Sequence, residues 1–194
     1  LKNDDIKEFN FNIAQRDVVY INPKAHSKVL ESNVYHDFNL NMGHSQEQKS
    51  WPEIRFEKWC EDNCEWFYKN GDKGQEYLSI VYHDKLNKQR LFYPDYLIKF
   101  HGKLFIVETK GGETVNHENK NIDRDTVELK FNALKKYVEI HNEKYSENQI
   151  GFAFVRDKNI ITEDGRSDYE LLFSNTVWTD ELDNSNWKPI NDLF

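Results

Sequence analysis

The sequence predicts an α/β fold in which helices flank a mixed β-sheet. Apolar residues recur at helical spacing in two segments, three strand-like runs stand between these segments, and a short apolar strand follows the second. The expected order is therefore helix, three-stranded meander, helix and strand. The chain of 194 residues is long enough for one domain with a sizeable core.

The first helix is predicted to begin after Ser50. Ser50, Pro52 and Glu53 fit a capping box with a proline in the first turn. The apolar residues that follow at helical spacing are Phe56, Trp59, Cys60, Cys64 and Phe67. We therefore expect the helix to continue to about Tyr68, before Gly71.

Three strand-like runs follow this helix and form the expected meander. They span residues 76–82, 90–100 and 103–110. His101 and Gly102 supply a tight turn between the last two runs, which predicts a hairpin.

The second helix and the later strands are predicted from the same kind of pattern. The apolar residues at amphipathic spacing are Val127, Phe131, Leu134 and Val138. They indicate a helix that ends near His141. Apolar runs at 149–155 and 169–173 indicate one strand after this helix and a further strand beyond it.

The predicted hairpin brings two acids and a lysine together. If it closes at His101-Gly102, opposite residues have numbers that sum to about 203, so Asp95 lies opposite Glu108. Lys110 shares the face of Glu108. Two adjacent carboxylates are unfavourable without a positive charge, and Mg²⁺ or Mn²⁺ would supply it. The alternative is a solvated cross-strand patch with no chemistry.

The residues of this hairpin carry a family resemblance. The stretches Pro94–Asp95 and Glu108–Lys110 together resemble the PD-(D/E)xK nuclease motif. The whole run 92–112 is similar to the nuclease domain at the C-terminal end of the restriction subunit of type III restriction-modification enzymes. Glu53 and Phe56 match the Glu-x-x-Phe pattern with which the first helix of those domains opens. The resemblance implies a restriction-endonuclease-like core with the order α-β-β-β-α-β.

The resemblance also implies roles for individual residues. Asp95 and Glu108 would hold the metal ion, with the carbonyl oxygen of Thr109 as a third ligand. Lys110 would serve the attacking water. Glu53 would assist the metal site, although it fits the capping box equally well. The nearby acid Glu57 lies farther round the helix, so we expect it to be solvated.

The activity implied by the resemblance is metal-dependent endonuclease cleavage of double-stranded DNA by hydrolysis of a phosphodiester bond. The implied partners are a helicase/ATPase region of the same polypeptide and a DNA-methyltransferase (modification) subunit. ATP would bind that helicase region, because this chain contains no Walker loop. One alternative is a stand-alone repair or mobile-element nuclease of the same superfamily. Another is a catalytically inactive docking or DNA-binding module.

The resemblance covers roughly residues 50–157, and this range suggests a division of the chain into two regions. We expect a nuclease-like domain at 50–194 and an N-terminal arm of unassigned role at 1–49. Because the sequence begins with Leu1 rather than Met, we expect that the arm continues from a missing upstream region.

Composition bounds the partners and the compartment. A net charge of −8 argues against strong non-specific DNA binding by the whole surface. No apolar run approaches the ~20 residues of a membrane span, so no membrane contact is expected. Cys60 and Cys64 lack two further ligands at zinc-site spacing, which favours reduced core thiols in a cytoplasmic protein.

The remaining candidates have plain structural explanations as well as functional ones. Gly111 and Gly112 either end a strand or admit a DNA backbone. Trp51, Trp59 and Trp66 are expected in the core rather than on a base-stacking surface. The basic residues that are expected to be solvated more often than bound to phosphate are His117, Lys120, Arg124, Lys130, Lys135 and Lys136.

Overall fold

The computed structural model describes residues 50–70, 78–111, 124–176 and 186–193; the predicted arm, 1–49, lies outside them. The described elements, in chain order, are α1 (Trp51–Asn63), β1 (Trp66–Lys69), β2 (Ile80–His83), β3 (Gln89–Phe92), β4 (Tyr96–Phe100), β5 (Lys103–Lys110), α2 (Arg124–Lys144), β6 (Ile150–Ile161), β7 (Ser167–Ser174), β8 (Lys188–Pro189) and a 3₁₀ turn, Ile190–Asp192.

Six of these strands form one mixed sheet with the order β1-β4-β5-β6-β7-β8. The neighbours β5 and β6 are parallel, and every other pair in this sheet is antiparallel. A parallel pair needs a long crossover connection, and α2 lies within it. The predicted α/β class with a mixed sheet is therefore confirmed.

The two helices cover opposite faces of this sheet. The ring of Phe56 in α1 lies 5.1 Å from the ring of Tyr96 in β4, centre to centre. The ring of Phe131 in α2 lies 5.4 Å from that of Phe152 in β6. Tyr96 and Phe152 pair with consecutive residues of β5, whose side chains point to opposite faces.

The first helix is shorter than predicted. α1 ends at Asn63, and the next segment, Trp66–Lys69, is strand β1 of the main sheet. Cys64 already has an extended backbone, with φ −94° and ψ 150°. Phe67 fits helical spacing by coincidence, because three consecutive aromatic residues favour a strand that is buried on both faces.

The predicted meander is wrong in its first member. In the main sheet β4 lies between β1 and β5, whereas β2 and β3 form a separate two-stranded hairpin. The run 90–100, predicted as one strand, is divided between β3 and β4. Pro94 lies at the break, where a residue without an N–H is tolerated.

The later elements follow the prediction more closely. α2 encloses the predicted helix, and β7 encloses the predicted run 169–173. β6 continues to Ile161, well beyond the predicted end at Val155, because its polar continuation pairs with β7. Cys60 and Cys64 lie in the apolar core, as expected. Neither described helix is long and apolar enough to cross a membrane.

Gly111 lets the end of β5 approach the first turn of α1. It is buried, and a Cβ built on its backbone would overlap the ring of Pro52. Contact between helix and strand, rather than DNA access alone, thus requires glycine here. The second glycine of the predicted pair, Gly112, lies outside the described residues.

We expect Gly111→Ala to lower the free energy of unfolding by about 1–3 kcal/mol, because overpacking forces the helix away from the strand. Urea titration measures the change. The variant Pro52→Ala lacks the obstructing ring, so Gly111→Ala should cost less stability in that background than in the wild type. If Gly111→Ala costs the same in both backgrounds, the proposed contact is contradicted.

Candidate active site

The β4–β5 hairpin has the predicted register. Its pairs run from Phe100↔Lys103 to Tyr96↔Val107, so paired numbers sum to 203. The turn residues have φ values of 48° and 73°, as a two-residue hairpin turn with two left-handed positions requires. Continued by one residue, this register places Asp95 beside Glu108.

Asp95 lies in the bend before β4, and its carboxylate binds Thr109 of the neighbouring strand β5. Its Oδ2 accepts hydrogen bonds from Thr109 N at 2.8 Å and from Thr109 Oγ1 at 2.7 Å. Its own backbone N–H donates to Glu108 Oε2 at 3.2 Å. The structure therefore joins these three residues, although Asp95 itself is outside the strand.

Lys110 forms an ion pair with Glu108. Its Nζ donates to Glu108 Oε1, and the two side chains are 15% and 6% exposed. The predicted association of Asp95, Glu108 and Lys110 is thus present in the structure.

Lys69, which no sequence pattern indicated, joins two acids of the site. It is the last residue of β1, and its Nζ lies 2.5 Å from Glu53 Oε1 and 3.5 Å from Asp95 Oδ1. It also lies 4.4 Å from the centre of the Tyr96 ring. Because this segment was predicted as the end of a helix, no local signal indicated that Lys69 would face these carboxylates.

Glu53 has both of the roles between which the sequence left a choice. Its Oε2 accepts the Ser50 N–H at 2.8 Å and the Ser50 hydroxyl at 2.6 Å, which closes the first turn of α1. Its Oε1 accepts from Lys69. The helix start and the acid cluster therefore share one side chain.

Asn70 fixes the backbone that carries Asp95. It is buried, and its N–H donates to the Asp95 carbonyl oxygen at 2.8 Å. Its side-chain amide donates to the carbonyl oxygens of Pro94 and Leu78, both at 2.8 Å. These bonds hold the bend before β4 in place.

The expectation that Glu57 is solvated is wrong. Glu57 is fully buried, and the Tyr96 hydroxyl donates to its Oε1 at 2.7 Å. Burial and the neighbouring Glu57 charge raise the pKa of Tyr96 well above its ordinary value. The phenol therefore remains a donor to this acid.

The two central acids have opposite electrostatic environments. Burial and the charge of Asp95 raise the pKa of Glu108 from 4.5 to about 7. Burial also acts to raise the pKa of Asp95, but Lys69, Lys110 and the Thr109 hydrogen bonds outweigh it and hold that pKa below its usual value. Asp95 is thus the fixed negative charge of the site, and Glu108 titrates near neutral pH.

The donors at this site are carboxylate oxygens, the type of ligand that Mg²⁺ and Mn²⁺ prefer. Asp95 and Glu108 supply two carboxylates. The Thr109 N–H points to Asp95, and the carbonyl of a strand residue points to the same side as its N–H. Pro94, opposite Thr109 in the continued register, has no N–H to donate to that carbonyl oxygen. Within the described ranges, no group of three or more His, Cys, Asp or Glu side chains converges on a metal position.

The other sequence candidates divide into three groups. Trp59 and Trp66 pack against the core as expected, whereas Trp51 is 68% exposed, so its predicted burial is wrong.

Lys130 lies 5.4 Å from the Phe92 ring, and its charge acts on Glu108. Lys135 donates to the Thr176 carbonyl oxygen, and Lys136 is exposed. The candidates outside the described side chains are His117, Lys120 and Arg124.

Comparisons with known proteins gave no match to this chain among protein-family models, curated proteins or solved structures.

In the metal-free protein, the free energy of unfolding should fall by up to about 3 kcal/mol as the pH rises from about 5 to 8, because of Glu108. The pKa of Glu108 in the folded chain, about 7, exceeds the ordinary value of 4.5. Between these values the folded chain holds a proton that the unfolded chain has lost, so stability is highest at the acidic end. Urea titrations with chelator present measure this dependence.

Glu108→Gln should remove this component of the pH dependence, and Glu139→Gln, at an exposed position of α2, should retain it. A wild-type slope that persists unchanged in Glu108→Gln would contradict the assignment to Glu108.

Lys69→Met should lower the free energy of unfolding by about 2–4 kcal/mol at pH 7. Removing one partner of a buried ion pair leaves uncompensated charge, and the partial exposure of Glu53 and Asp95 moderates the cost. Urea titration measures the change, and Lys58→Met, at an exposed position of α1, is the matched control. If the two variants lose the same stability, Lys69 does not hold the acids as described.

Proposed function

We propose that this chain is a metal-dependent DNA endonuclease domain of the PD-(D/E)xK kind. The observation that carries the proposal is the hairpin register, which brings Asp95 next to Glu108 with Lys110 bonded to Glu108. Two carboxylates that can hold a metal ion, with a lysine beside them, are groups that could serve such hydrolysis.

Each residue then has a role in phosphodiester hydrolysis. Asp95, Glu108 and the Thr109 carbonyl would hold Mg²⁺ or Mn²⁺, which when bound polarises the phosphate and acidifies water. The Lys110 ammonium, released from Glu108, would orient the attacking water or offset the charge that develops on the phosphate oxygens. Lys69 keeps Asp95 ionised and in position.

The order of elements around the hairpin supports the same proposal. Within the main sheet, the chain runs α1, β1, β4, β5, α2 and β6, which is compatible with the α-β-β-β-α-β order that the resemblance implies. The β2–β3 hairpin is then an insertion between the first two strands of that core.

The proposed substrate is double-stranded DNA, and the proposed context is a type III restriction enzyme or a related helicase-nuclease. The net charge of −8 supports a domain that depends on its surroundings for DNA contact. A helicase/ATPase region of the same polypeptide and a methyltransferase subunit would provide that contact and the reading of the target sequence.

We expect this chain to nick or linearise supercoiled plasmid with Mg²⁺ or Mn²⁺ and to be inactive with chelator. Asp95→Ala and Lys110→Ala should each lower the rate at least about 100-fold, because they remove a metal ligand and the charge next to the attacking water. Agarose gel electrophoresis of plasmid samples taken over time measures the rate.

Asp62→Ala and Lys136→Ala change exposed residues of α1 and α2 and are the matched controls. Cleavage that survives Asp95→Ala would reject this site as the source of activity. Wild-type protein that neither cleaves DNA nor binds millimolar Mn²⁺ by calorimetry would support the inactive docking module instead.

A further inference from the structure

An open pocket of about 440 Å³ lies beside Lys110. The first turns of α1, the end of β5 and the paired parts of β6 and β7 line it. The side chains that bear on its chemistry are those of Trp51, Arg55, Lys110, Asp157, Asn159 and Tyr169. Sites for small molecules in proteins span about 300–1,000 Å³, so the pocket has the volume of a ligand site.

An exposed aromatic ring forms part of this pocket. Trp51 is 68% exposed, although the other described helix tryptophan, Trp59, packs against the core. Most of this large apolar ring is therefore in water, at the rim of a polar pocket. Its free face is available for stacking on a flat ligand.

A fixed cation lies next to that ring. The Arg55 guanidinium is 5.5 Å from the centre of the Trp51 ring and 3.1 Å from that of the Tyr169 ring. Arg55 also forms an ion pair with Asp157. The pairing and the stacking hold the guanidinium in one position between α1 and the β6–β7 strands.

The combination of an aromatic face, two cations and polar edges matches one class of ligand. A nucleotide has a flat base for Trp51 and a phosphate for Arg55 and Lys110. Asn159 adds a side-chain amide to the pocket, and its Oδ1 accepts the Ser167 hydroxyl at 2.6 Å. A purely apolar ligand would leave these charges desolvated.

We propose that this pocket binds one unpaired nucleotide of the DNA strand, with its base stacked on Trp51 and its phosphate towards Arg55 and Lys110. The inference rests on the proposed nuclease function and deepens it. Thr109 and Lys110 belong to both the pocket and the candidate site, so the bound nucleotide would be next to the phosphate that is cleaved.

The nucleotide must be unpaired because the faces of a base in duplex DNA are covered by its neighbours. Removing a base from the stack costs a few kcal/mol, and least where the strand is already single. The domain should therefore bind single-stranded DNA more tightly than a duplex of the same sequence.

The test uses a short single strand that contains a fluorescent adenine analogue, mixed with the protein in chelator at low salt. Stacking on Trp51 should quench the analogue, and titration gives the dissociation constant. Trp51→Ala should weaken binding by about 5- to 150-fold and abolish the quenching, since it removes the stacked ring. Trp51→Phe should retain most of the affinity, because a phenyl ring can still stack on the base.

Tyr145→Ala is the matched control, because Tyr145 is an exposed aromatic residue outside the pocket, after α2. It should bind as the wild type does. Equal affinity of the wild type and Trp51→Ala, or no binding of the single strand at all, overturns the pocket. The pocket is also overturned if Trp51→Ala weakens the binding of duplex DNA as much as it weakens the binding of the single strand.

The outcome separates this inference from the nuclease proposal. Binding and quenching that depend on Trp51, in a protein that neither cleaves plasmid nor binds millimolar Mn²⁺, would support the pocket and reject the nuclease. Plasmid cleavage that depends on Asp95, with no effect of Trp51→Ala on binding, would support the nuclease and reject the pocket.

Discussion

The register of the β4–β5 hairpin is the constraint on which the candidate site depends. His101 and Gly102 both have positive φ values, so a two-residue turn fixes the pairing. A slip by one residue would move every side chain of β4 to the other face of the sheet. Tyr96 would then lose its contact with α1, and Asp95 would lose its place beside Glu108. Because β5 also pairs with β6, a slip of β5 itself would in addition disturb the one parallel pair of the described sheet.

Charge rather than apolar packing determines the energetic cost of the site. Lys69 and Lys110 come from different strands, and together they offset Glu53, Asp95 and Glu108. The compensation is incomplete, since burial and the Asp95 charge still raise the pKa of Glu108 to about 7. A surrounding core of buried aromatic and aliphatic side chains stabilises the sheet enough to hold this arrangement. A bound cation would lower the same repulsion, so the site is least stable without one.

Local patterns predicted the parts of the molecule that depend on local chemistry. The hairpin register follows from its turn residues, and α2 follows from its amphipathic spacing. The partners of Lys69 and Asn70 could not be predicted in this way, because they depend on which strand lies next to β4. Phe67 extended the helical pattern by chance, and this concealed β1. Helical spacing also could not show that Trp51 is exposed, since that depends on how far β6 and β7 extend beside α1.

The overall charge and the geometry of the site together limit how the proposed nuclease could hold DNA. A net charge of −8 repels the phosphate backbone at long range, and counterion release gives such a surface little affinity. The lysines of the site are already paired with carboxylates, so they add little attraction at long range. Attraction must then arise at short range, from stacking on Trp51, from Arg55 and Lys110 in the pocket, and from a metal ion where one is bound. These contacts act only after the strand has arrived, so we expect the proposed nuclease to rely on other DNA-binding regions for the approach.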